Sequence, residues 1–256
     1  MPGTRPVRPL LRQEVADGIK RYILENRLHP GDPLPTETEL CEALGASRSS
    51  VREAVKILHA LDIVEVRHGH GTYVGHLSLS ALVESLTFRG LLSPDDDVQV
   101  LADLVDVREL FERGMAERIV ASLSGEQLDA LERLVTRMSD AGVGGDGQGL
   151  IEADRAFHAL LVAPLGNDLM GQLSMAFWDV YAIVAPQIDG FTHTEQAETV
   201  AAHHNIVTAA RAGDAAAFVQ AIGEHYAPVR RRISEARTRS CRPSAAPLGS
   251  LNELDI

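Results

Sequence analysis

The sequence predicts a mainly α protein with two domains, of which the first also contains a small β-hairpin. Two observations lead to this prediction. Between Leu34 and Val74, a short helix, a glycine turn, a second helix and a tight hairpin follow one another. After Val74, apolar residues recur at helical spacing, and no long stretch alternates like a strand. The second part is therefore expected to be an all-α bundle of about seven helices.

The first helix of this region begins with a capping box, in which Thr36 is the N-cap and Glu39 lies three residues later. Gly45 is expected to end it, and Ser47 to cap the next helix. Apolar residues of the second helix recur at helical spacing, at Val51, Ala54, Val55 and Leu58. This order is typical of a helix-turn-helix, whose second helix presents its first residues to the DNA major groove. Here those residues are Arg48, Ser49, Ser50 and Arg52.

A strand pair is predicted directly after the second helix. Residues 63–67 alternate in polarity, residues 68–71 contain two glycines, and residues 72–74 return. A hairpin in this place is typical of a wing, which completes a winged helix-turn-helix. Arg67, His68 and His70 lie at its tip, where they can reach phosphate or the minor groove. A helix pair and hairpin that bind no DNA is the alternative, but it leaves the agreement of caps, turn, arginines and wing unexplained.

The run LPTETEL…ASRSSVREA…LDIVEVRHGHGTYV resembles the winged helix of GntR-type transcription regulators over about sixty-five residues. The resemblance implies binding to operator DNA by a homodimer, and a two-fold protein matches an inverted repeat. The contacts that it implies here are Arg48, Ser49, Ser50, Arg52, His68 and Gly69. This chain departs from many relatives at Thr38 and His70, where they have arginine, so part of the sequence preference is expected to differ.

Composition and charge limit the remaining possibilities. No run of about eighteen apolar residues exists, and residues 1–13 lack the apolar segment of a signal peptide. We therefore expect no membrane partner. Two cysteines make no disulfide framework, which fits the reducing cytoplasm. Residues 1–76 hold ten basic and ten acidic residues, so the remaining fourteen basic and twenty-six acidic residues carry the whole net charge of −12. The acidic part is therefore not expected to face DNA.

The expected domain organisation is a DNA-binding domain over residues 10–75, an effector-binding and dimerisation domain over residues 76–239, and a disordered tail over residues 240–256. Residues 1–9 are expected to form a flexible arm, with Arg5 and Arg8 available to phosphate. The periodicity predicts a first helix over residues 10–28 and a loose loop over residues 142–147. The helices expected in the second domain cover residues 79–91, 98–122, 125–138, 150–162, 167–184, 193–212 and 214–237.

Four titratable residues stand on inward-facing helical positions of the second domain. Asp154 and His158 are one turn apart, His203 lies three residues before Ile206, and His225 follows Ile222 by three. Three imidazoles and one carboxylate from three helices are suited to a divalent ion such as zinc, nickel, manganese or iron. Each could instead be a polar residue at the edge of the core, although burying several such groups without a ligand is costly.

A second resemblance, to the ligand-sensing domain of the FadR-like branch of GntR regulators, covers roughly residues 100–235. It is carried by Asp154, Phe157 and His158, by His203 and Ile206, by Gly213 and Asp214, and by His225. It implies that the aspartate and the three histidines bind a divalent metal that helps to hold a small organic acid. Where relatives often carry glutamate before the second of these histidines, this chain has Ala202.

Two further residues are candidates for contact with such an acid. Arg108 matches an arginine of the family pattern and can meet an effector carboxylate, although an ion pair with Glu109 or Glu112 is equally open. Tyr181 lies nearly one turn after Trp178 and can face the same cavity, whereas Trp178 itself is expected to be a core residue.

Three functions are compatible with these patterns. The leading hypothesis is a transcription regulator, as a repressor, whose operator affinity changes when a small acid binds beside the metal. The alternative is a metal-dependent hydrolytic enzyme domain fused to a DNA-binding domain, although the sequence contains no H-E-x-x-H motif. A purely structural metal in a closed four-ligand site is the third.

Overall fold

The computed structural model describes residues 8–92, 94–184 and 193–240. The chain divides into two compact units, Met1–Ser85 and Leu86–Ile256. The predicted basic arm around Arg5 and the predicted tail beyond Ser240 lie outside the described residues. Among those that are described, no helix is both long enough and apolar enough to span a membrane.

Three helices form the core of the first unit, and their bounds are α1, Arg8–Glu25; α2, Glu37–Leu44; and α3, Arg48–Ala60. Their inward-facing side chains make one cluster, in which Ile19, Val51, Ala54 and Leu58 are fully buried. Cys41 packs against this cluster and is a free thiol. The apolar periodicity of α3 thus places its remaining faces in solvent.

The predicted caps of these helices are confirmed. Thr36 accepts a hydrogen bond from the Glu39 backbone, and the Glu39 carboxylate accepts one from the Thr36 N–H at 2.8 Å. Gly45 ends α2 in the left-handed conformation, with φ at 58°. The Ser47 hydroxyl accepts from the Ser50 N–H at 3.2 Å and so begins α3. Local sequence alone therefore sets the turn between the two helices.

An antiparallel hairpin follows α3, formed by β1, Val64–Arg67, and β2, Gly71–Val74. Val64 pairs with Val74 and Arg67 pairs with Gly71. Gly69 lies within the connecting turn at a φ of 77°, a conformation that favours glycine. The predicted wing is thereby confirmed as a structural element.

The second unit is helical throughout its described part, which confirms the mainly α fold. The helices are α4, Ser80–Leu91; α5, Pro94–Gly114; α6, Ala116–Ser122; α7, Gly125–Gly144; α8, Gly147–Val162; α9, Asp168–Val184; α10, His193–Arg211; and α11, Ala215–Ser240. The first of these crosses the boundary between the units. A short 3₁₀ turn, Ala163–Leu165, joins α8 to α9.

Two predicted details of this unit are wrong. The expected continuous helix over residues 98–122 is broken at Met115, because the Met115 N–H bonds to the carbonyl of Glu112 in a tighter turn after Gly114. The expected loose loop over residues 142–147 is mostly helix. Gly145 adopts the left-handed conformation that ends α7, and Asp146 caps the next helix through the Gly149 N–H at 2.9 Å.

Helix packing in the second unit brings together helices that are far apart in the sequence. Helix α7 packs against α8 and α10, α10 packs against α11, and α11 packs against α5. Fully buried side chains mark these contacts, among them Phe157 on α8, Ile206 on α10 and Phe218 on α11. As a consequence, the inward faces of α5, α8, α10 and α11 surround one region of the core.

Candidate functional site

Four titratable side chains converge in that region, and they are the four that the sequence analysis proposed as metal ligands. Asp154 and His158 come from α8, His203 from α10 and His225 from α11, and one ligand atom of each lies within 4.8 Å of all the others. The three histidines are buried, with exposed fractions of 1%, 0% and 8% respectively. Three imidazoles this deep in a core require partners of their own.

The neighbouring residue His204 lies outside the cluster, although it is adjacent to His203 on the same helix. It lies on the exposed face of α10, and its Nδ1 is 2.8 Å from Oε1 of Glu132 on α7. His203, one position earlier, is turned into the core and packs edge-on against Phe157, with ring centroids 4.7 Å apart. A rotation of about 100° per residue separates the two roles.

The ring of His203 has a defined orientation. Its Nδ1 lies 2.8 Å from the carbonyl oxygen of Thr199, one turn earlier on α10. A carbonyl can only accept a hydrogen bond, so Nδ1 carries a proton and Nε2 is turned towards the cluster. There Nε2 lies 2.9 Å from Oδ1 of Asp154. A second-sphere hydrogen bond of this kind is what orients metal-binding histidines in proteins.

His158 is held between two carboxylates. Its Nε2 lies 3.4 Å from Oδ1 of Asp154, and its Nδ1 lies 2.7 Å from Oε1 of Glu112 on α5. Burial alone would lower the pKa of His158, but these two carboxylates raise it to about 9. The ring therefore carries a proton at neutral pH in the absence of a competing cation.

His225 is in the opposite electrostatic state. Burial, together with repulsion from His203 and His158, holds the pKa of His225 well below its usual range. Its Nδ1 is buried and has no hydrogen-bond partner among the described residues. A neutral imidazole with an unpartnered buried nitrogen beside a carboxylate is suited to donating to a metal ion.

The carboxylate of Asp154 is shared between the histidines and an indole. Its Oδ2 accepts a hydrogen bond from Nε1 of Trp178 on α9 at 3.3 Å. Burial alone would raise the pKa of Asp154, but its interactions with the imidazoles of His158 and His203 hold it well below its usual range. Trp178 is 3% exposed, so the prediction of a core residue is confirmed, but its contact with Asp154 was not foreseen.

Sequence reasoning also missed Glu112, which it considered only as a partner for Arg108. Glu112 is 1% exposed. Burial alone would raise its pKa, but the positive charges of His158 and Arg108 lower it. An acidic residue on the apolar face of α5 was the available signal, since buried carboxylates are rare unless paired.

The two residues predicted to contact an effector lie close together. Arg108 is 5% exposed, and its guanidinium lies 5.5 Å from the ring centre of Tyr181 and 5.6 Å from that of Tyr226. Its charge also interacts with those of Glu112 and Asp154. Within the described part of the chain, no carboxylate forms an ion pair with Arg108. A buried guanidinium of this kind is suited to a carboxylate ligand.

In the first unit, the residues predicted to bind DNA lie on two exposed elements. Arg48 and Ser49 are exposed at the start of α3, and Ser50 is half-buried beside them. The hydroxyls of Ser49 and Ser50 each lie 2.9 Å from that of Ser47. His68, Gly69 and His70 are exposed at the tip of the hairpin.

Two of the three predicted arginines are held by neighbouring acidic groups. Nε of Arg52 lies 2.9 Å from Oε2 of Glu37 on α2. Arg67 lies 2.7 Å from Oε2 of Glu65, and its guanidinium stacks 4.2 Å from the ring centre of Tyr73. These contacts orient both side chains without burying them.

Comparison with known protein families gives two matches. A model described as bacterial regulatory proteins, gntR family, matches residues 11–74, and a model described as FCD domain matches residues 103–228. The first range contains the helices α2 and α3 and the hairpin, and the second contains all four residues of the cluster.

Individual proteins agree with these matches. The putative transcriptional regulatory protein NedR of Micromonospora viridifaciens is 47% identical over 120 residues, which are 45% of this chain and 82% of that protein. The galactonate operon transcriptional repressor of Escherichia coli is 26% identical over 85% of this chain and 94% of its own. Among solved structures, a GntR protein of Streptococcus agalactiae superposes with a TM-score of 0.64 at 32% identity, covering 86% of this chain and 99% of its own.

Proposed function

The chain belongs to the GntR family as a transcription regulator with an FCD ligand-sensing domain, and from this premise we propose that a small organic acid, bound beside a divalent metal ion, controls its affinity for operator DNA. The matched domains and relatives are regulators, so the alternative of a fused hydrolytic enzyme is wrong. Repressor action is proposed from the relative named as a repressor.

The observation that carries the proposal is the cluster of Asp154, His158, His203 and His225. The donor set fits a divalent ion, because it combines nitrogen and oxygen ligands and contains no cysteine, which suits zinc, nickel, manganese or iron. Two observations support a metal ion here. Nδ1 of His225 is buried without a partner in the described part of the chain, and Nδ1 of His203 bonds to the Thr199 carbonyl, which leaves Nε2 facing the cluster. Such an ion would supply a positive centre to which an effector carboxylate can bind.

Arg108 and Tyr181 are proposed as the remaining contacts of the acid. The Arg108 guanidinium offers paired N–H donors, and the Tyr181 hydroxyl offers one more. The two side chains lie together, with the guanidinium 5.5 Å from the Tyr181 ring centre, and both interact electrostatically with Asp154 of the cluster. A relative named for the galactonate operon, and thus for a sugar acid, agrees with an acidic effector.

Operator recognition is proposed for the first residues of α3 and for the hairpin tip. Arg48, Ser49, Ser50 and Arg52 would enter the major groove, while Arg67, His68, Gly69 and His70 would lie along the backbone or the minor groove. We propose that a cytoplasmic homodimer binds an inverted repeat, with DNA binding assigned to residues 10–75 and sensing and dimerisation to residues 76–239.

The decisive experiment compares two adjacent histidines. His203→Ala removes a cluster residue, whereas His204→Ala changes an exposed side chain of the same helix that pairs with Glu132. Metal content is measured by elemental analysis after purification without chelator, and operator binding is measured with and without a panel of sugar and hydroxy acids.

We expect the wild type and His204→Ala to retain metal and to respond to at least one acid, and His203→Ala to lose both. A wild type that takes up no metal at micromolar supply would contradict the site. A wild type that unfolds when it is stripped of metal would instead indicate a structural metal, whereas a stripped wild type that stays folded and only loses its response to the acid supports the sensor.

A further inference from the structure

The carboxylate of Glu112 occupies a buried position that the metal cluster alone does not explain. It lies on α5, outside the set of four converging side chains, and its side chain is 2% exposed. A carboxylate at this depth loses most of its hydration and must be compensated by charges or donors nearby. The groups around Glu112 therefore indicate its role.

His158 is the closest of these neighbours. The 2.7 Å between its Nδ1 and Oε1 of Glu112 is an ion-pair distance, although the two groups are not aligned as a directed hydrogen bond. Asp154 lies on the opposite side of the ring, at Nε2. The imidazole thus has one nitrogen facing the cluster and the other facing Glu112.

Two more groups enclose the same carboxylate. Arg108 lies one turn earlier on α5 and Tyr226 lies on α11 next to His225, and both interact with Glu112. Oε2 of Glu112 and the Tyr226 hydroxyl are each buried and have no aligned hydrogen-bond partner in the described part of the chain. The buried carboxylate is therefore surrounded by groups that favour its charged form.

We propose that Glu112 is the positioning residue of the metal centre: it holds the Nδ1–H of His158, so that Nε2 of this ring is directed at the ion. This inference rests on the proposed function, since it requires a metal at the cluster. A carboxylate behind a ligating imidazole fixes its tautomer and orientation and makes it a stronger donor. The Thr199 carbonyl does the corresponding work for His203 with a neutral acceptor.

A different role for Glu112 would be to neutralise Arg108 alone. In that case its removal would disturb Arg108 but would leave the affinity of the cluster for a metal ion unchanged. The two roles therefore differ in a quantity that can be measured with zinc alone, without knowledge of the effector.

The test measures zinc affinity by competition with a chromophoric chelator, for the wild type, Glu112→Ala and Glu112→Gln. Removal of such partners typically weakens metal binding roughly 10- to 100-fold, which we expect for Glu112→Ala. Glu112→Gln retains an oxygen that accepts the Nδ1–H but lacks the charge, so we expect a smaller loss of several-fold. The matched control is Glu109→Gln, a nearly buried carboxylate of the same helix that binds Arg113 and Arg230 instead.

Nitrogen NMR of the zinc-loaded proteins reports the protonation and environment of Nδ1 of His158 directly, and a general loss of stability would not change this signal. We expect a protonated Nδ1 on His158 in the wild type and in Glu112→Gln, and a changed Nδ1 signal in Glu112→Ala. If Glu112→Ala does not fold, Glu112→Gln decides alone. Zinc affinities equal to that of the wild type would overturn this proposal and leave the metal site standing, whereas a wild type that binds no zinc would overturn both.

Discussion

The indole of Trp178 holds the carboxylate of Asp154 across two helices, with Nε1 donating to Oδ2 at 3.3 Å. This leaves Oδ1 facing the imidazoles of His203 and His158, at 2.9 and 3.4 Å. A buried tryptophan thus does more than fill the core, because it selects which oxygen of Asp154 faces the cluster.

Trp178→Phe should weaken metal binding while keeping the fold. Phenylalanine fills most of the indole volume but cannot donate to Asp154. A hydrogen bond to a charged group contributes about 1.5–3 kcal/mol, so we expect a loss of roughly tenfold in zinc affinity. Chelator competition measures this loss, with Phe177→Leu on the same helix as the control. An unchanged affinity in Trp178→Phe would show that Oδ2 has no part in orienting Asp154.

The helix caps and the inward positions of the four cluster residues could be predicted from sequence because local periodicity determines them, and the resemblance to the FadR-like branch is what assigned the four to one site. Thr36 and Glu39 need only each other, and the spacing from Asp154 to His158 places both on one helical face. Glu112 and Trp178 could not be placed in the same way. Their partners lie on other helices, and only the packing of α5 and α9 around α8 brings them to the cluster.

The apparent affinity for metal should keep rising with pH above the range in which an unperturbed histidine loses its proton. In the metal-free protein, burial alone would lower the pKa of His158, but Glu112 and Asp154 raise it to about 9. A metal ion binds only the unprotonated imidazole, so below this pH it must displace a proton. Apparent zinc affinity is therefore expected to rise with pH up to about 9, where that competition ends.

Chelator competition between about pH 6 and pH 9 measures this profile, since an ordinary histidine titrates near 6.5. The low pKa of His225 means that its ring stays neutral and adds no competition over the upper part of the range. An affinity that stops rising near pH 7 would contradict the charge arrangement around His158.

Arg48→Ala and Arg52→Ala should each weaken operator binding without unfolding the domain. Both side chains are exposed at the start of α3, away from the buried face of Val51 and Leu58. Loss of an arginine that reads a base costs roughly 1–3 kcal/mol. Fluorescence anisotropy with operator DNA measures the loss, and Lys56→Ala, later on the same helix, is the control. Wild-type affinity in both arginine variants would remove α3 as the recognition helix.

The protein should be a homodimer in solution and should protect a two-fold symmetric operator. One winged helix reads only a short half-site, and two copies related by two-fold symmetry match an inverted repeat. Light scattering at micromolar concentration is expected to give twice the chain mass of 27.7 kDa. A monomer that still binds a single operator tightly and specifically would be inconsistent with this arrangement.

Arg108→Gln should abolish the response to the acid but leave metal binding and operator binding in place. The guanidinium is buried beside Tyr181 and Tyr226, and Arg108 is not one of the four cluster residues. Its charge is therefore available to an anion. Replacing it with a neutral amide removes a charge-assisted pair of hydrogen bonds, and loss of such contacts typically costs about 1.5–3 kcal/mol. Arg113→Gln is the matched control, since Arg113 lies on the exposed side of the same helix and pairs with Glu109. Anisotropy titrations with and without the active acid, together with zinc affinity, separate the two functions. An Arg108→Gln protein that loses zinc would show that Arg108 supports the cluster, and one that still responds to the acid would show that the effector binds elsewhere.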